Sequence, residues 1–200
     1  MLADLLDDDF FRDHWHRQPA RWRGAASTVL EDATGPVRVD HLVADGWIDG
    51  ARNNSPELAR TLLRERPALQ FLEGVDAAPV DRLVAEARSL FGTEHVWFDV
   101  VRTAGLGSIG SHFDDSDNFV VQLDGIKQWR LADASAVPIE QHERRMGGDP
   151  GAAPFVVATP SWTCTAQVGD VVYLPFGWPH HGIARTPSLS ISLVVKHAVR

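Results

Sequence analysis

The sequence predicts a mainly β chain with N-terminal helices, its strands closing as a double-stranded β-helix, or jelly roll. Two observations predict it. Apolar residues recur at helical spacing through roughly the first ninety positions, and beyond Gly92 they give way to short alternating or wholly apolar runs separated by turn residues. Several antiparallel strands in succession remove their exposed edges most simply by rolling into a double sheet, which leaves a mouth for a ligand. The expected organisation is one compact structural unit, with residues 1–92 a mainly helical elaboration packing on a barrel at 93–200.

The first helix is expected over residues 4–15, where Leu5, Leu6, Phe10 and Phe11 recur at near-helical spacing, and Pro19 ends it. The acids Asp7, Asp8 and Asp9 read as a solvated face of that helix. Residues 39–43 suggest a second. A third opens at Ser55-Pro56-Glu57, with Ser55 as cap and Pro56 at the first helical position, and runs through Leu58, Leu62 and Leu63 to Pro67. The fourth starts near Pro79, aligns Leu83, Val84, Ala87 and Leu90, and ends at Phe91-Gly92, with glycine at the C-cap. Strands are expected at 95–101, 119–123, 127–131, 161–168, 170–174 and 189–195. Turns at 105–110, Asp124-Gly125, Gly169-Asp170 and Thr186-Pro187 separate them. Residues 146–154, rich in glycine and proline, read as a loop able to act as a lid.

Composition excludes several function classes. A hydrophobic share of 44% with 23% charged residues is that of an ordinary globular chain. The single cysteine, Cys164, cannot form an intrachain disulfide, and the acidic start Met1-Leu2-Ala3-Asp4 lacks the basic, then apolar, pattern of a secretory signal. A cytoplasmic location is expected. No apolar run approaches the ~18 residues that suggest a membrane span, and no heptad pattern sets an oligomeric state. With 19 Lys+Arg against 27 Asp+Glu the net charge is -8, which disfavours nucleic acid and favours a basic partner. Arg12, Arg17, Arg21 and Arg23, interleaved with His14, Trp15, His16 and Trp22, are a local exception that reads as a solvated helix end and turn.

The chemistry starts at Ser111-His112-Phe113-Asp114. Alternate side chains of a strand share a face, so His112 and Asp114 project together while Phe113 points away. One more imidazole would complete two nitrogen donors and a carboxylate on one side of a metal, with the opposite positions open, and the doublet His180-His181 offers it. Asn118 continues the even-numbered face of His112 and Asp114. Ser188, Ser190 and Ser192 alternate with Leu189, Ile191 and Leu193, so their hydroxyls face either a cavity or solvent. Trp97, Tyr173 and Trp178 read as packing or pocket wall, and Asp170 as a residue whose carboxylate closes the turn after Gly169.

The run Gly107-Ser108-Ile109-Gly110-Ser111-His112-Phe113-Asp114, then Gly125-x-Lys127-x-Trp129, then Gly169-Asp170-x-x-Tyr173-x-Pro175-x-Gly177-Trp178-Pro179-His180 resembles the JmjC-type 2-oxoglutarate oxygenases, a branch of the cupins. The opening Phe10-Phe11-Arg12-Asp13-His14-Trp15-His16-Arg17-Gln18-Pro19 resembles the start of the bacterial ribosomal-oxygenase-like hydroxylases. That resemblance implies Fe(II) held by His112, Asp114 and His180, with His181 as the alternative, since a slip of one residue turns the ring to the other face of the sheet. It implies 2-oxoglutarate as co-substrate, its distal carboxylate met by Lys127, or by Arg130 in its place, and its iron-proximal carboxylate by Asn118, with Ser190 and Ser192 lining the pocket. Dioxygen is the oxidant. The implied activity is hydroxylation of an amino-acid residue in a protein or peptide, with release of succinate and carbon dioxide.

Two other readings fit the same residues. The larger ribosomal oxygenases continue past the barrel into helical and winged-helix regions, whereas the sequence stops at Arg200. The corresponding expectation is a compact tailoring hydroxylase of a small peptide or free amino acid. The other is a metal cupin without 2-oxoglutarate chemistry, such as an isomerase or binding module. Lys127 and the open triad argue against it.

Overall fold

The computed structural model describes residues 2–26, 50–51, 69–76, 81–103 and 105–196. The helices expected at 39–43 and 55–67 lie outside these residues. Among the described residues the helices are α1 (Asp8–Asp13), α2 (Asp81–Phe91) and α3 (Ile139–Met146). The strands are β1 (Ala20–Trp22), β2 (Gly50–Ala51), β3 (Leu69–Asp76), β4 (Val96–Thr103), β5 (Asp117–Asp124), β6 (Lys127–Leu131), β7 (Trp162–Ala166), β8 (Val171–Leu174), β9 (His180–Ala184) and β10 (Ser188–Val195). All pairings among the described strands are antiparallel. One sheet runs β1-β8-β5-β10-β4-β3-β2 and the other β7-β6-β9, the two halves of a double-stranded β-helix. No described helix is long and apolar enough to cross a membrane.

The expected first helix is shorter than residues 4–15. The Asp7 carboxylate accepts the Phe10 N–H at 2.8 Å, so Asp7 caps the helix from outside. Leu2–Asp4 form a separate 3-10 turn, and His16, at φ +57°, has left the helical path. The first ninety-two residues also hold strands that were not expected: β1, β2 and β3 join the large sheet. β1 is too short to show a period, and the register of β3 against β4 shifts between Leu72 and Val75, which breaks its alternation. The strand expected at 161–168 is β7, trimmed at both ends. Residues 139–146, for which no element was expected, form α3, and Pro150–Ala152 form a 3-10 turn inside the expected loop.

The large sheet is covered on both faces, which explains why β5 is buried from Asp117 to Leu123. Its odd positions Phe119, Val121 and Leu123 pack with Leu189, Ile191, Leu193 and Val195 of β10 and with Val96, Phe98 and Val100 of β4, under Phe10 of α1 and Leu83 and Ala87 of α2. Each such side chain contributes roughly 1.5–3 kcal/mol by leaving water. On the inner side Val120, Val172 and Leu174 meet Trp129, Leu131 and Ala166 of the small sheet and Trp178. Helices on one face and a second sheet on the other leave the inner face of β4, β5 and β10 to line a cavity.

Candidate metal centre and cofactor pocket

His112 and His180 form an isolated antiparallel bridge: the His112 N–H donates to the His180 carbonyl at 3.1 Å, and the His180 N–H returns to the His112 carbonyl at 2.7 Å. Residues paired this way carry their side chains on the same face as neighbours, and the two imidazole centroids are 4.4 Å apart. Asp114, two residues on, shares that face. Its Oδ1 lies 3.6 Å from His112 Nε2 and its Oδ2 3.5 Å from His180 Nε2. One donor atom from each of the three residues falls within 4.8 Å of the others.

The second nitrogens fix which atoms face the centre. His112 Nδ1 is 3.2 Å from the Gly110 carbonyl, and His180 Nδ1 is 3.0 Å from the Trp178 carbonyl. With the proton on Nδ1 and donated to a carbonyl, each ring directs its Nε2 lone pair at the shared point. Burial pushes the His180 imidazole down to about 4, with neighbouring His112 reinforcing it, so the ring is neutral near pH 7, as a metal ligand must be. His181 falls on the opposite face of β9, opposite Arg130 across the sheet. It is not among the cavity-lining residues. Its pKa is lowered by partial burial and then by Arg130.

Asn118 was expected to donate to a co-substrate carboxylate. In the structure its amide donates to Asp114 Oδ2 at 3.1 Å and to Ser116 Oγ at 3.3 Å, while its carbonyl accepts from Ser192 Oγ at 3.3 Å. Asn118 thus orients the carboxylate of the triad, and Ser192 orients Asn118. The Asp114 carbonyl accepts the Gly177 N–H at 3.0 Å, which joins the Asp114 segment to the turn before His180. Gly177 holds φ +72°, and a Cβ there would lie 2.8 Å from His142 of α3, so glycine is required on two grounds.

The triad opens into a cavity of about 580 Å³. The odd positions of β4, Trp97, Asp99, Val101 and Thr103, line one wall, so Trp97 is a wall residue, whereas Tyr173 and Trp178 belong to the two cores. Ser190 and Ser192 of β10 face the cavity, as does Lys127 of β6, while Arg130 does not line it. Lys127 is 4% exposed and donates to Ser190 Oγ at 2.6 Å, and burial brings its ammonium down to about 8. No carboxylate pairs with it among the described residues. Trp129 lies between it and the triad, its ring 5.4 Å from Lys127 Nζ and 6.1 Å from the His180 ring.

Thr103 was not singled out in the sequence, and Trp129 appeared there only as part of a motif, with no role of its own. Thr103 Oγ1 and Trp129 Nε1 are buried with no hydrogen-bond partner among the described residues, and both residues line the cavity. Unpaired buried polar groups are rare in folded proteins. These two, with Lys127, offer hydrogen bonds to an anionic group entering from the triad side. The donor set also fits a metal: two imidazoles and one carboxylate, held on one side and adjoining open space, match the ligand set of a ferrous centre with vacant positions.

The segment expected as a loop able to act as a lid is hydrogen-bonded to this site. The Phe113 N–H donates to the Ala153 carbonyl and the Phe155 N–H to the Ser111 carbonyl, at 3.0 and 3.1 Å, and Gln141 Nε2 holds the Ala152 and Pro154 carbonyls. Asp170 closes its turn as expected, accepting from the Gln167 N–H at 2.8 Å, and also pairs with Arg21 at 2.5 Å. Burial pushes the Cys164 thiol up to about 12, so it is an inert packing residue.

Comparison with known proteins agrees with this geometry. The JmjC domain family matches residues 71–199. Ribosomal oxygenase 1 of Danio rerio is 28% identical over 217 residues, covering 98% of this chain and 39% of the relative. The bifunctional lysine-specific demethylase and histidyl-hydroxylase NO66 of Drosophila persimilis is 23% identical over 216 residues, covering 98% of this chain and 30% of the relative. The chain thus spans well under half the length of these curated relatives. Among solved structures, the ribosomal oxygenase YcfD of Escherichia coli, in complex with cobalt and 2-oxoglutarate, superposes with a TM-score of 0.63 at 16% identity, covering 96% of this chain and 51% of that one. A second YcfD structure gives a TM-score of 0.64 at 18% identity, covering 96% and 53%. With more than half of its residues matched by the family, and its two sheets enclosing a His-x-Asp and a distant histidine, this chain belongs to the JmjC domain family.

Proposed function

We propose that this chain is an Fe(II)- and 2-oxoglutarate-dependent dioxygenase that hydroxylates an amino-acid residue in a protein or peptide, releasing succinate and carbon dioxide. The observation that carries this reading is the pairing of two features in one cavity: three metal donors converge on one point, and a buried lysine, with no carboxylate partner among the described residues, stands beyond Trp129. His112, Asp114 and His180 would hold the iron. When bound, the iron supplies the redox chemistry that couples decarboxylation of 2-oxoglutarate by dioxygen to hydroxylation of a carbon.

The protein's own residues set the stage for that chemistry. Lys127 offers a charge to the distal carboxylate of 2-oxoglutarate, and Ser190 orients its Nζ. Thr103 Oγ1 and Trp129 Nε1 are free to complete the shell. Asn118 and Ser192 keep the Asp114 carboxylate turned toward the two imidazoles. A hydrogen bond to a charged group contributes roughly 1.5–3 kcal/mol, so Lys127 decides whether a dicarboxylate is worth desolvating there. A metal cupin without 2-oxoglutarate chemistry would have no use for a buried ammonium in that place.

The substrate class is taken from the relatives, whose names describe a ribosomal oxygenase and a histidyl-hydroxylase, and from the -8 charge, which attracts basic polypeptide. A small peptide or free amino acid is the competing substrate. A cytoplasmic setting goes with this reading, on the lone cysteine, which can form no intrachain disulfide. Of the described elements before residue 93, α1 and α2 cover the outer face of the large sheet, while β1, β2 and β3 are strands of that sheet. The test incubates the chain with Fe(II), 2-oxoglutarate and candidate basic peptides, measuring succinate and, by mass spectrometry, one added oxygen. Succinate formation should vanish in His112→Ala and Asp114→Ala. Turnover at the wild-type rate in either variant rules the mechanism out.

A further inference from the structure

The opening motif from Phe10 to Pro19 has no part in the chemistry described so far, yet His16 within it reaches the barrel beside the metal centre. Asp117, the first residue of β5, is fully buried. Its Oδ1 accepts from Tyr173 Oη at 2.5 Å and from the Phe176 N–H at 3.0 Å, and its Oδ2 lies 2.8 Å from His16 Nε2. The His16 N–H also donates to Tyr173 Oη at 3.1 Å. The histidine therefore grips both members of the pair, one through its ring and the other through its backbone.

The same carboxylate adjoins the supports of two triad residues. On one side Phe176 precedes Gly177, whose N–H holds the Asp114 carbonyl, and Trp178, whose carbonyl holds His180 Nδ1 at 3.0 Å. On the other side the residue after Asp117 is Asn118, whose amide orients Asp114 Oδ2. Among the described residues His16 is the one non-glycine with positive φ, at +57°. A side chain is held in that sparsely populated conformation when its surroundings over-determine it. Here Trp15 stacks on the His16 ring at 4.5 Å and the Asp117–Tyr173 pair fixes its far edge.

We infer that His16 is a positioning residue of the metal centre, locking through Asp117 and Tyr173 the two turns that carry Asp114 and His180. The inference rests on the metal-centre reading above. It gives the opening motif a task, which is to brace the turn at Pro175–Gly177 and the start of β5 from outside the barrel.

The test compares Co(II) affinity, the d–d absorption of the Co(II)-loaded chain and the melting temperature of the metal-free chain in wild type, His16→Asn, His16→Gln and Tyr173→Phe. Asparagine tolerates positive φ but is too short to reach Asp117, whereas the glutamine amide can stand in for Nε2. His16→Asn is expected to weaken Co(II) binding about 10- to 100-fold, the range found for groups that orient metal ligands, and to shift the absorption bands. His16→Gln should recover most of the affinity. Wild-type affinity and spectrum in His16→Asn, or no recovery in His16→Gln, overturns the inference. If the asparagine variant does not fold, Tyr173→Phe decides, since it keeps the buried ring and removes only the hydroxyl; unchanged Co(II) binding there overturns the inference equally. A wild-type chain that binds no Co(II) overturns the metal centre itself, and this inference with it.

Discussion

A lysine that is 4% exposed loses most of its hydration, and Lys127 regains one hydrogen bond from the protein, to Ser190. Its ammonium is brought down to about 8 from an ordinary value of 10.5. The unfolded chain therefore holds this proton more tightly, and the metal-free protein should gain stability as pH rises from about 8 to 10.5, with the penalty complete below 8. That gain is on the order of 3 kcal/mol. Lys127→Met should flatten the rise and melt higher than wild type at pH 7, while weakening 2-oxoglutarate binding roughly 10- to 100-fold through loss of a charged hydrogen bond. Thermal melts across that pH range and a ligand titration check both halves. Asn118 makes a second prediction at this scale. Asn118→Ala frees the Asp114 carboxylate to rotate and should weaken Co(II) binding by about tenfold, measured by competition with a chelating dye.

Among the elements, β9 shows how little side-chain tolerance the site allows. Gly182 pairs with Trp129 across the small sheet, and a Cβ at 182 would lie 2.7 Å from the indole. Gly182→Ala should cost about 1–3 kcal/mol by overpacking, lowering the melting temperature by roughly 2–12 °C, and should disturb 2-oxoglutarate binding, because Trp129 lies beside Lys127. The same strand marks the limit of what is legible in sequence. β5, β6, β8 and β10 announce themselves by alternation or by apolar runs, but His180-His181-Gly182-Ile183-Ala184 has no hydrophobic period. It is a strand because it pairs with β6. α3 has no buried residue, so no apolar stripe betrays it. The His-x-Asp pair was legible because strand geometry puts alternate residues on one face. Asn118's contact with Asp114 depends on how the turn between them folds, and Thr103 and Trp129 became visible as cavity groups only once the inward faces of β4 and β6 were fixed.

For the molecule as a whole, metal and co-substrate should act as linked ligands of the folded state. Binding confined to the folded state stabilises by about 2.7 kcal/mol at a hundredfold excess over Kd. In a chain of this size Co(II) at that excess should raise the melting temperature by roughly 5–11 °C, and 2-oxoglutarate should add a further rise in wild type but little in Lys127→Met. No extra shift with 2-oxoglutarate would favour a metal cupin of another kind. The two sheets, α1, α2 and the segment after α1 all contribute packing or hydrogen bonds that hold the elements carrying the triad.

The most direct measurement is calorimetric titration of the metal-free chain with Co(II), in wild type and in His112→Ala, Asp114→Ala, His180→Ala and His181→Ala. One site per chain is expected in wild type and in His181→Ala, and none in the other three, with 2-oxoglutarate bound tightly by the metal-loaded chain alone. Undiminished Co(II) binding in His180→Ala, or its loss in His181→Ala with His180 intact, would contradict the account.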